Sequence, residues 1–242
     1  MANSHKVWQS NAVFAAVTGF ERKSSNKKTG DMLQMTILSP NVDPLTAKRN
    51  GADGAYCGEG ERACPLHDVC YVIEAQMPLQ VWQKVKDCKP ELEKVASSSK
   101  PIRLGAYGDH GFVPLELLDT VTEDRGHTGY SHQWRFVSED YRQYVMASVE
   151  SEDGRKDAKK KGYRTFRVLA NWTKKDLERR WTTKGEQPTK GEVMCPNFTK
   201  GTQCKDCLLC SGTKDKQGNW KSVSRVKDIC IPAHGAKALG IK

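Results

Sequence analysis

The sequence predicts an α/β fold with a parallel sheet, in the form of a partial or distorted (β/α) barrel, followed by a small cysteine-rich metal-binding tail. Three observations support this prediction. The 242 residues are enough to enclose a proper core. From residue 100 onward, strand-like and helix-like segments alternate at intervals of about 20 residues, as in βαβ units. Seven of the nine cysteines fall into two groups, one in each half of the chain.

The individual elements follow from local patterns, taken in chain order. The first 30 residues mix apolar turns with basic residues and indicate no regular element. Residues 32–38 read as the first strand, and a long loop with Asn-Gly and Asp-Gly turns, residues 39–71, follows it. A helix begins near Pro78 and restarts at Pro90. We expect strands at 102–107, 128–134, 144–149 and 163–169, and helices at 114–121, 138–144 and 151–161.

The composition changes after residue 181. Residues 1–181 form the βα body, which carries the loop at 39–71, and residues 182–191 resemble a flexible linker. The remaining segment, 192–242, is short and cysteine-rich and ends near a strand at 228–232. Pattern alone leaves open whether the sheet curves toward a barrel or stays an open doubly wound sheet.

Charge and apolar content restrict the class of partner. The formal charge of +10 suits an anionic partner such as a nucleotide or nucleic acid, and it is also compatible with an anionic cofactor or with solubility alone. No apolar stretch reaches the roughly 20 residues of a membrane helix, so we expect no membrane partner. The default location is cytoplasmic, or the host cytoplasm for a phage-encoded protein. In that reducing compartment, clustered cysteines favour metal binding over disulfides.

The strongest motif lies near the C-terminus. Cys195, Cys204, Cys207 and Cys210 have the spacing C-x8-C-x2-C-x2-C, in which thiolates two residues apart can surround one ion or cluster. The C-x2-C-x2-C part is typical of a [4Fe–4S] cluster. A structural Zn²⁺ that holds the tail together is the alternative, and the spacing does not separate the two.

A second group, Cys57, Cys64 and Cys70, lies in the loop after the first strand. In parallel βα sheets, the loops that follow the strands form the ligand-binding edge. Three thiolates would leave one iron of a cubane cluster open to an external ligand. Alternatively, His67 joins them in a zinc site, or the three are unconnected thiols.

Three polar residues are predicted at the same edge, because each ends a strand. Asp109 follows the second regular strand, and there it either binds a cosubstrate amino group or ribose or simply forms a turn. His132 and Glu150 end the next two strands and are candidates for general acid–base catalysis. The alternatives are that His132 packs beside Trp134 and that Glu150 is a charge at a helix entry.

A strand, a loop with three cysteines that ends in Cys70-Tyr71, and the βα units that follow resemble radical S-adenosylmethionine enzymes. The resemblance implies that Cys57, Cys64 and Cys70 hold a [4Fe–4S] cluster whose open iron binds S-adenosylmethionine, with the C-terminal cysteines as an auxiliary cluster. The family's usual spacing is C-x3-C-x2-C, whereas this chain has C-x6-C-x5-C. Cys64-Pro-Leu, residues 129–134 and Ala233-His-Gly235 also resemble an uncharacterised family of bacteriophages and plasmids.

Two functional hypotheses follow. The first is an iron–sulfur enzyme of radical S-adenosylmethionine type that acts on a nucleotide or nucleic-acid substrate. The second is a non-catalytic, zinc-stapled factor of phage type that binds nucleic acid or protein. Its binding surface would use four basic residues after the last body strand: Lys174, Lys175, Arg179 and Arg180.

Overall fold

The computed structural model describes residues 3–24, 26–213 and 226–233, which form a mixed α/β fold. The strands are β1 (Ser4–Gln9), β2 (Phe14–Thr18), β3 (Leu33–Leu38), β4 (Ile102–Tyr107), β5 (His127–Thr128), β6 (Tyr130–Ser131), β7 (Met146–Val149), β8 (Thr165–Leu169), β9 (Glu192–Met194) and β10 (Asp228–Pro232). The helices are α1 (Pro44–Asn50), α2 (Gly54–Cys57), α3 (Met77–Val85), α4 (Glu93–Ala96), α5 (Leu115–Thr122), α6 (Glu152–Lys160), α7 (Lys174–Arg179), α8 (Pro196–Lys200) and α9 (Cys204–Cys207). Short 3₁₀ turns occur at Gly60–Arg62, His110–Phe112, Gln133–Arg135 and Glu139–Gln143.

The strands form two five-stranded sheets, in the orders β1-β2-β3-β4-β5 and β6-β7-β8-β10-β9. The β1–β2 and β2–β3 pairs are antiparallel, and every later pair is parallel. The predicted parallel α/β architecture is therefore confirmed. Within the residues that the structure describes, the sheets do not close into a barrel.

Along the chain, the single residue Gly129 lies between β5, the last strand of the first sheet, and β6, the first strand of the second sheet. Its N–H donates to Cys210 O at 2.8 Å, and its carbonyl accepts from Met146 N at 3.0 Å. A Cβ at this position would lie 3.1 Å from the Leu104 Cβ, so the close approach favours glycine. The single strand expected at 128–134 is thus wrong: two strands of two residues precede a 3₁₀ turn.

The N-terminal hairpin of β1 and β2 was not predicted. All five residues of β2 are buried, because β1 and β3 flank the strand and α3 packs on its face. A strand buried on both faces shows no polar–apolar alternation, which explains the missing signal. The hairpin turn is held by Ser10, whose Oγ accepts from Val13 N at 3.1 Å.

Several other expectations are adjusted by the structure. The loop at 39–71 contains α1, α2 and a 3₁₀ turn, because Asp43 Oδ1 caps α1 by accepting from Leu45 N and Thr46 N. The helix expected at 138–144 is a 3₁₀ turn. By contrast, α5 and α6 match their predicted ranges to within a residue or two, and Ser151 caps α6 as expected.

The second sheet has two distinct faces. Ala147 and Val149 of β7 belong to the main core and face α6. Their neighbours Met146, Phe166 and Ile229 project to the opposite side, where they pack with Cys195 and Cys210. We call this side of the sheet the inner face.

The cysteine-rich segment shares the body's sheet. The strands β9 and β10 both lie parallel to β8, and Cys195 follows β9 directly. The stretch at 182–191 therefore marks a change in composition, while the sheet continues beyond it. Across residues 3–24, 26–213 and 226–233, every helix is too short or too polar to traverse a lipid bilayer.

Candidate functional site

Three consecutive backbone contacts bring Cys57, Cys64 and Cys70 into one region, which we call the N-terminal site. Cys64 N donates to Cys57 O at 3.1 Å, His67 N donates to Cys64 O at 3.0 Å, and Cys70 N donates to His67 O at 3.4 Å. The residues between the cysteines form the 3₁₀ turn at Gly60–Arg62 and the turns that these hydrogen bonds close. The three cysteines are therefore neighbours in space despite their separation in the chain.

The loop that carries these cysteines is fastened through Arg62. Arg62 Nε donates to Gln133 Oε1 at 2.9 Å, and Gln133 Nε2 donates back to Arg62 O at 2.7 Å. The guanidinium also lies over the Phe112 and Phe136 rings, 4.8 and 5.6 Å from their centres. Gly58 permits this turn, because a Cβ there would lie 2.0 Å from the Arg62 carbonyl oxygen.

The thiols of Cys57 and Cys70 in the N-terminal site are held in their neutral form. Burial raises the pKa of Cys57, and the nearby Asp53, Cys64 and Cys70 raise it further. Burial also raises the pKa of Cys70, with Cys64 adding to the effect. A bound cation would reverse this balance, since metal ligation requires the thiolate.

A network of hydrogen bonds joins the edge residues to this site. Asp109 Oδ1 accepts from Ser131 Oγ at 2.5 Å and from Gly111 N at 2.8 Å, while Oδ2 accepts from His132 N at 2.7 Å. His132 Nδ1 lies 3.5 Å from Cys64 Sγ, within the range of a hydrogen bond to sulfur. The carboxyl ends of β4 and β6 thereby meet the cysteine loop.

Glu150 completes this arrangement from the end of β7. Its Oε1 lies 3.0 Å from His132 Nε2. Burial lowers the pKa of His132, but the contact with Cys64 and the negative charge of the nearby Glu150 outweigh that effect and raise the pKa to about 10. Asp109, His132 and Glu150, selected from the sequence as strand-end residues, thus form one connected set that reaches Cys64 through His132. Their catalytic roles stay predictions.

His67, the alternative fourth ligand, is engaged elsewhere. Its Nε2 lies 2.7 Å from Asp53 Oδ2, and its Nδ1 lies 3.3 Å from Asp68 Oδ1. The structure places His132, which is distant in sequence, next to Cys64 instead. His132 is therefore the histidine available to the N-terminal site.

The second group, which we call the C-terminal site, forms where the cysteine-rich segment crosses the inner face. Cys195 directly follows β9 and precedes α8, whose left-handed Gly201 turns the chain back. Cys204 and Cys207 lie one turn apart on α9, and the left-handed Leu208 ends that helix. These three cysteines and Cys210 line one pocket together with Thr128, Pro196, Asn197, Thr202, Leu208 and Leu209.

The N-terminal part of the chain supports this pocket. Cys204 N donates to Lys28 O at 2.9 Å, and Lys205 N donates to Thr29 O at 3.0 Å. Gln203 Nε2 donates to Lys27 O at 3.0 Å. The residues between β2 and β3, which carried no predicted element, thus hold the first turn of the C-x2-C-x2-C segment.

The electrostatic surroundings of the C-terminal site combine burial with basic groups. Burial raises the pKa of Cys204, while Arg103 and Lys28 act to lower it. Burial raises the pKa of Cys210 well above its ordinary value, with neighbouring thiols adding and Arg164 opposing. Lysine and arginine side chains near clustered thiols favour their negatively charged form.

The side chains of the two sites can be set against the needs of a metal centre. Within the described ranges, no set of three His, Cys, Asp or Glu side chains stands in the arrangement of an ion-holding group. The donor chemistry nevertheless fits a thiophilic centre, because four thiols share one pocket and three more lie together in the N-terminal site, where Cys64 contacts His132. Of the remaining cysteines, Cys88 is exposed, and Cys230 is buried in β10, where its carbonyl accepts from Cys195 N at 2.8 Å.

Sequence reasoning missed several side chains that the structure places at these sites. Arg103, Arg164 and Lys28 surround the C-terminal site, and Gln133 holds the cysteine loop. Arg103 lies in β4 and Arg164 directly precedes β8, and a charged residue facing inward at such a position is a usable signal. Lys28 and Gln133 carry no comparable pattern.

Comparison of the chain with protein-family models, with curated proteins and with solved structures found no match.

Proposed function

We propose that this chain is an iron–sulfur protein with two cysteine-ligated centres on a partial (β/α) barrel, in which the N-terminal site performs radical S-adenosylmethionine-like chemistry on a nucleotide or nucleic-acid substrate. One observation carries the proposal. Cys57, Cys64 and Cys70 meet at the carboxyl edge of the parallel strands, beside the linked residues Asp109, His132 and Glu150.

The strand order supports the partial barrel. From β3 to β8 the parallel strands follow one another in sequence order, apart from the break at Gly129. A doubly wound sheet reverses its strand order at a switch point, whereas a barrel winds in one direction. The order β8-β10-β9 at the far edge is the single departure among the described strands.

The N-terminal site has the ligand count for a cluster with an open position. Three thiolates would hold three irons of a [4Fe–4S] cluster, and the open iron would supply a binding position for the methionine part of S-adenosylmethionine. Asp109 and the backbone around it present acceptors for an amino group or a ribose. Glu150 would stabilise the protonated imidazolium of His132, in which both ring nitrogens are donors, Nε2 on the side of Glu150 and Nδ1 on the side of Cys64.

The C-terminal site fits an auxiliary or structural centre. Its four thiols leave no obvious open position, and its pocket is lined by Pro196, Leu208 and Leu209 rather than by acid–base groups. A centre in this pocket would also tie α8 and α9 to the sheet. Its expected contribution is to stability and charge, and the chemistry is assigned to the N-terminal site.

Anaerobic purification tests the proposal directly. We expect brown protein with broad absorbance near roughly 400 nm and about four irons for each cubane. Serine in place of Cys57, Cys64 and Cys70 should halve the iron content, and serine in place of the four C-terminal cysteines should do the same. Colourless protein with stoichiometric zinc would contradict the iron–sulfur proposal.

A second candidate function is a zinc-stapled factor that binds nucleic acid. An exposed basic and aromatic surface favours it: Trp181 is 61% exposed and follows α7, and Arg180 donates to Thr199 O at 3.0 Å next to α8. The exposed cations of this surface are Lys174, Lys175, Arg179 and Arg180. Exposed aromatic rings among cations suit stacking on single-stranded nucleic acid.

This candidate is tested by titrating a single-stranded oligonucleotide into the protein at several salt concentrations. Affinity should fall steeply with salt, and Trp181→Ala should weaken binding by about 1–3 kcal/mol. Ile73→Ala, which removes another exposed apolar side chain away from α7, is the control. Binding that is insensitive to salt would exclude this surface as a nucleic-acid site.

A further inference from the structure

The two cysteine sites approach each other across the inner face. Thr128 lines the pocket of the C-terminal site, and its parallel partner on β4 is Arg103. Directly paired residues on neighbouring strands project to the same face of a sheet. The Arg103 side chain therefore extends from β4 toward the C-terminal site.

Arg103 also contacts the N-terminal loop. Its Nη2 donates to the Tyr71 hydroxyl at 2.6 Å, and Tyr71 directly follows Cys70. The Tyr130 phenol also lies beside the guanidinium. Arg103 thus connects Tyr71, the neighbour of Cys70 in the N-terminal site, with the inner face, where the C-terminal site lies.

The charge of Arg103 lies close to the C-terminal site. The Tyr71 and Tyr130 phenols beside the guanidinium carry no charge at neutral pH. A guanidinium in partly buried surroundings needs a negative group nearby. Arg103 is near enough to Cys204 for the two side chains to interact electrostatically, so a metal-bound thiolate at Cys204 would supply that charge.

A second arginine, Arg164, adds positive charge beside the same pocket and lies between Cys210 and the buried carboxylate of Asp228. Arg164 is fully buried, and its Nη1 and Nη2 donate to Ser211 O at 2.7 Å and Lys227 O at 2.9 Å. These acceptors are neutral, and its Nε has no hydrogen-bond partner within the described residues. Since Ser211 follows Cys210, Arg164 both fixes that turn and places positive charge beside the thiol.

We propose that Arg103 is a positioning residue shared by the two cysteine sites: it places positive charge beside the metal-bound cysteines of the C-terminal site and, through Tyr71, fixes Cys70 at the N-terminal site. This inference rests on the proposed function, in which both sites hold metal.

The experiment measures metal loss to a chelator from anaerobically prepared protein. Two backgrounds isolate the sites: serine at Cys57, Cys64 and Cys70 leaves the C-terminal site, and serine at the four C-terminal cysteines leaves the N-terminal site. In each background we compare the parent with Arg103→Gln, Arg103→Lys and Tyr71→Phe. Lys156→Gln, which removes one exposed positive charge from α6, is the matched control.

Each variant has a distinct expected result. Arg103→Gln should speed metal loss about tenfold at both sites, in line with the usual effect of residues that support metal ligands. Tyr71→Phe should speed loss only at the N-terminal site. Arg103→Lys keeps the positive charge but loses the forked arrangement of donors. Metal loss from the C-terminal site should therefore be as slow as in the parent, while metal loss from the N-terminal site should stay as fast as in Arg103→Gln.

Three results would overturn the inference. The first is unchanged metal loss in Arg103→Gln at either site. The second is an equal effect of Arg103→Lys and Arg103→Gln at the C-terminal site, accompanied by a common fall in the urea midpoint, which would indicate a merely structural role. The third is wild-type protein that binds no metal, and this result alone also overturns the proposed function.

Discussion

His132 Nδ1 lies 3.5 Å from Cys64 Sγ, while its Nε2 lies 3.0 Å from Glu150 Oε1. The imidazole therefore connects the cysteine loop after β3 with the carboxyl end of β7. Glu150 fixes the ring from one side, so the other nitrogen is directed at the thiol. This contact is the clearest physical link between the three cysteines and the rest of the edge.

We expect His132→Asn to weaken metal retention at the N-terminal site. The shorter side chain cannot span the distance between Cys64 and Glu150, and a lost ligand or supporting contact typically costs 10–100-fold in metal affinity. The measurement is the metal content of the N-terminal site after dialysis against a chelator, in protein with serine at the four C-terminal cysteines. His5→Asn, which alters a pair with Glu91 far from the site, should match the parent. Equal retention in His132→Asn would show that the histidine is a bystander.

Gly58→Ala should disrupt the cysteine loop itself. Gly58 has a φ of 85°, and an added Cβ would meet the backbone oxygen of Arg62 at 2.0 Å, so the loop must shift. Gly60→Ala is the control in the same loop, because Gly60 also has a positive φ but has no atom within 4 Å of an added Cβ. We expect the control to lose about 1 kcal/mol of unfolding free energy and keep its metal. Gly58→Ala should lose metal from the N-terminal site, as checked by elemental analysis.

The regular part of the fold was predictable because each strand and helix there satisfies a local pattern. The ranges of β4, α5, α6 and β8 follow from apolar segments and from the Ser151 cap. The hairpin of β1 and β2 was not predictable, because burial on both sides removes the alternation of polar and apolar residues that identifies a strand. The break at Gly129 was hidden as well, because it depends on a hydrogen bond to Cys210, 81 residues later in the chain.

The candidate site divides in the same way. Cysteine spacing and strand ends identified Cys64, His132 and Glu150 separately, but their mutual contact depends on the packing of β6, β7 and the loop. Arg103 was missed because its two roles, contact with Tyr71 and proximity to Cys204, both arise from distant parts of the chain. Local sequence can identify reactive side chains, whereas their partners require the register of the sheet.

Asp109→Asn should destabilise the carboxyl edge of the parallel strands, although the side chain keeps nearly the same shape. The carboxylate accepts three hydrogen bonds, from Ser131 Oγ, Gly111 N and His132 N, and an amide would direct a donor at one of these donors. We expect a loss of about 2 kcal/mol in unfolding free energy, measured by urea denaturation. Asp153→Asn, at an exposed surface pair, should change stability by less than about 0.5 kcal/mol. If Asp109→Asn leaves the unfolding free energy unchanged, the carboxylate is not needed to hold this edge.

The last prediction concerns a buried ion pair that joins β8 to β9. Arg167 Nε and Nη2 donate to Glu192 Oε1 and Oε2 at 2.9 and 2.7 Å, and Thr189 N also donates to Oε2 at 2.8 Å. Glu192→Gln would leave the Arg167 charge without its bidentate partner, and we expect a loss of about 3 kcal/mol in unfolding free energy at pH 7. Glu139→Gln, at an exposed pair with Arg142, is the control, and its change in unfolding free energy should be near zero.

The same pair predicts a dependence on pH. Burial raises the pKa of Glu192, but the hydrogen bonds from Arg167 and Thr189 outweigh it and hold the pKa below its ordinary value. Because the folded pKa is lower than the unfolded value of about 4.3, the contribution of Glu192 is complete above that value and is lost as the pH falls through the folded pKa. Urea denaturation across pH 3–7 should therefore show the parent and Glu192→Gln converging at the acidic end. A difference in stability that stays constant over this range would mean that Glu192 acts through packing rather than through its charge.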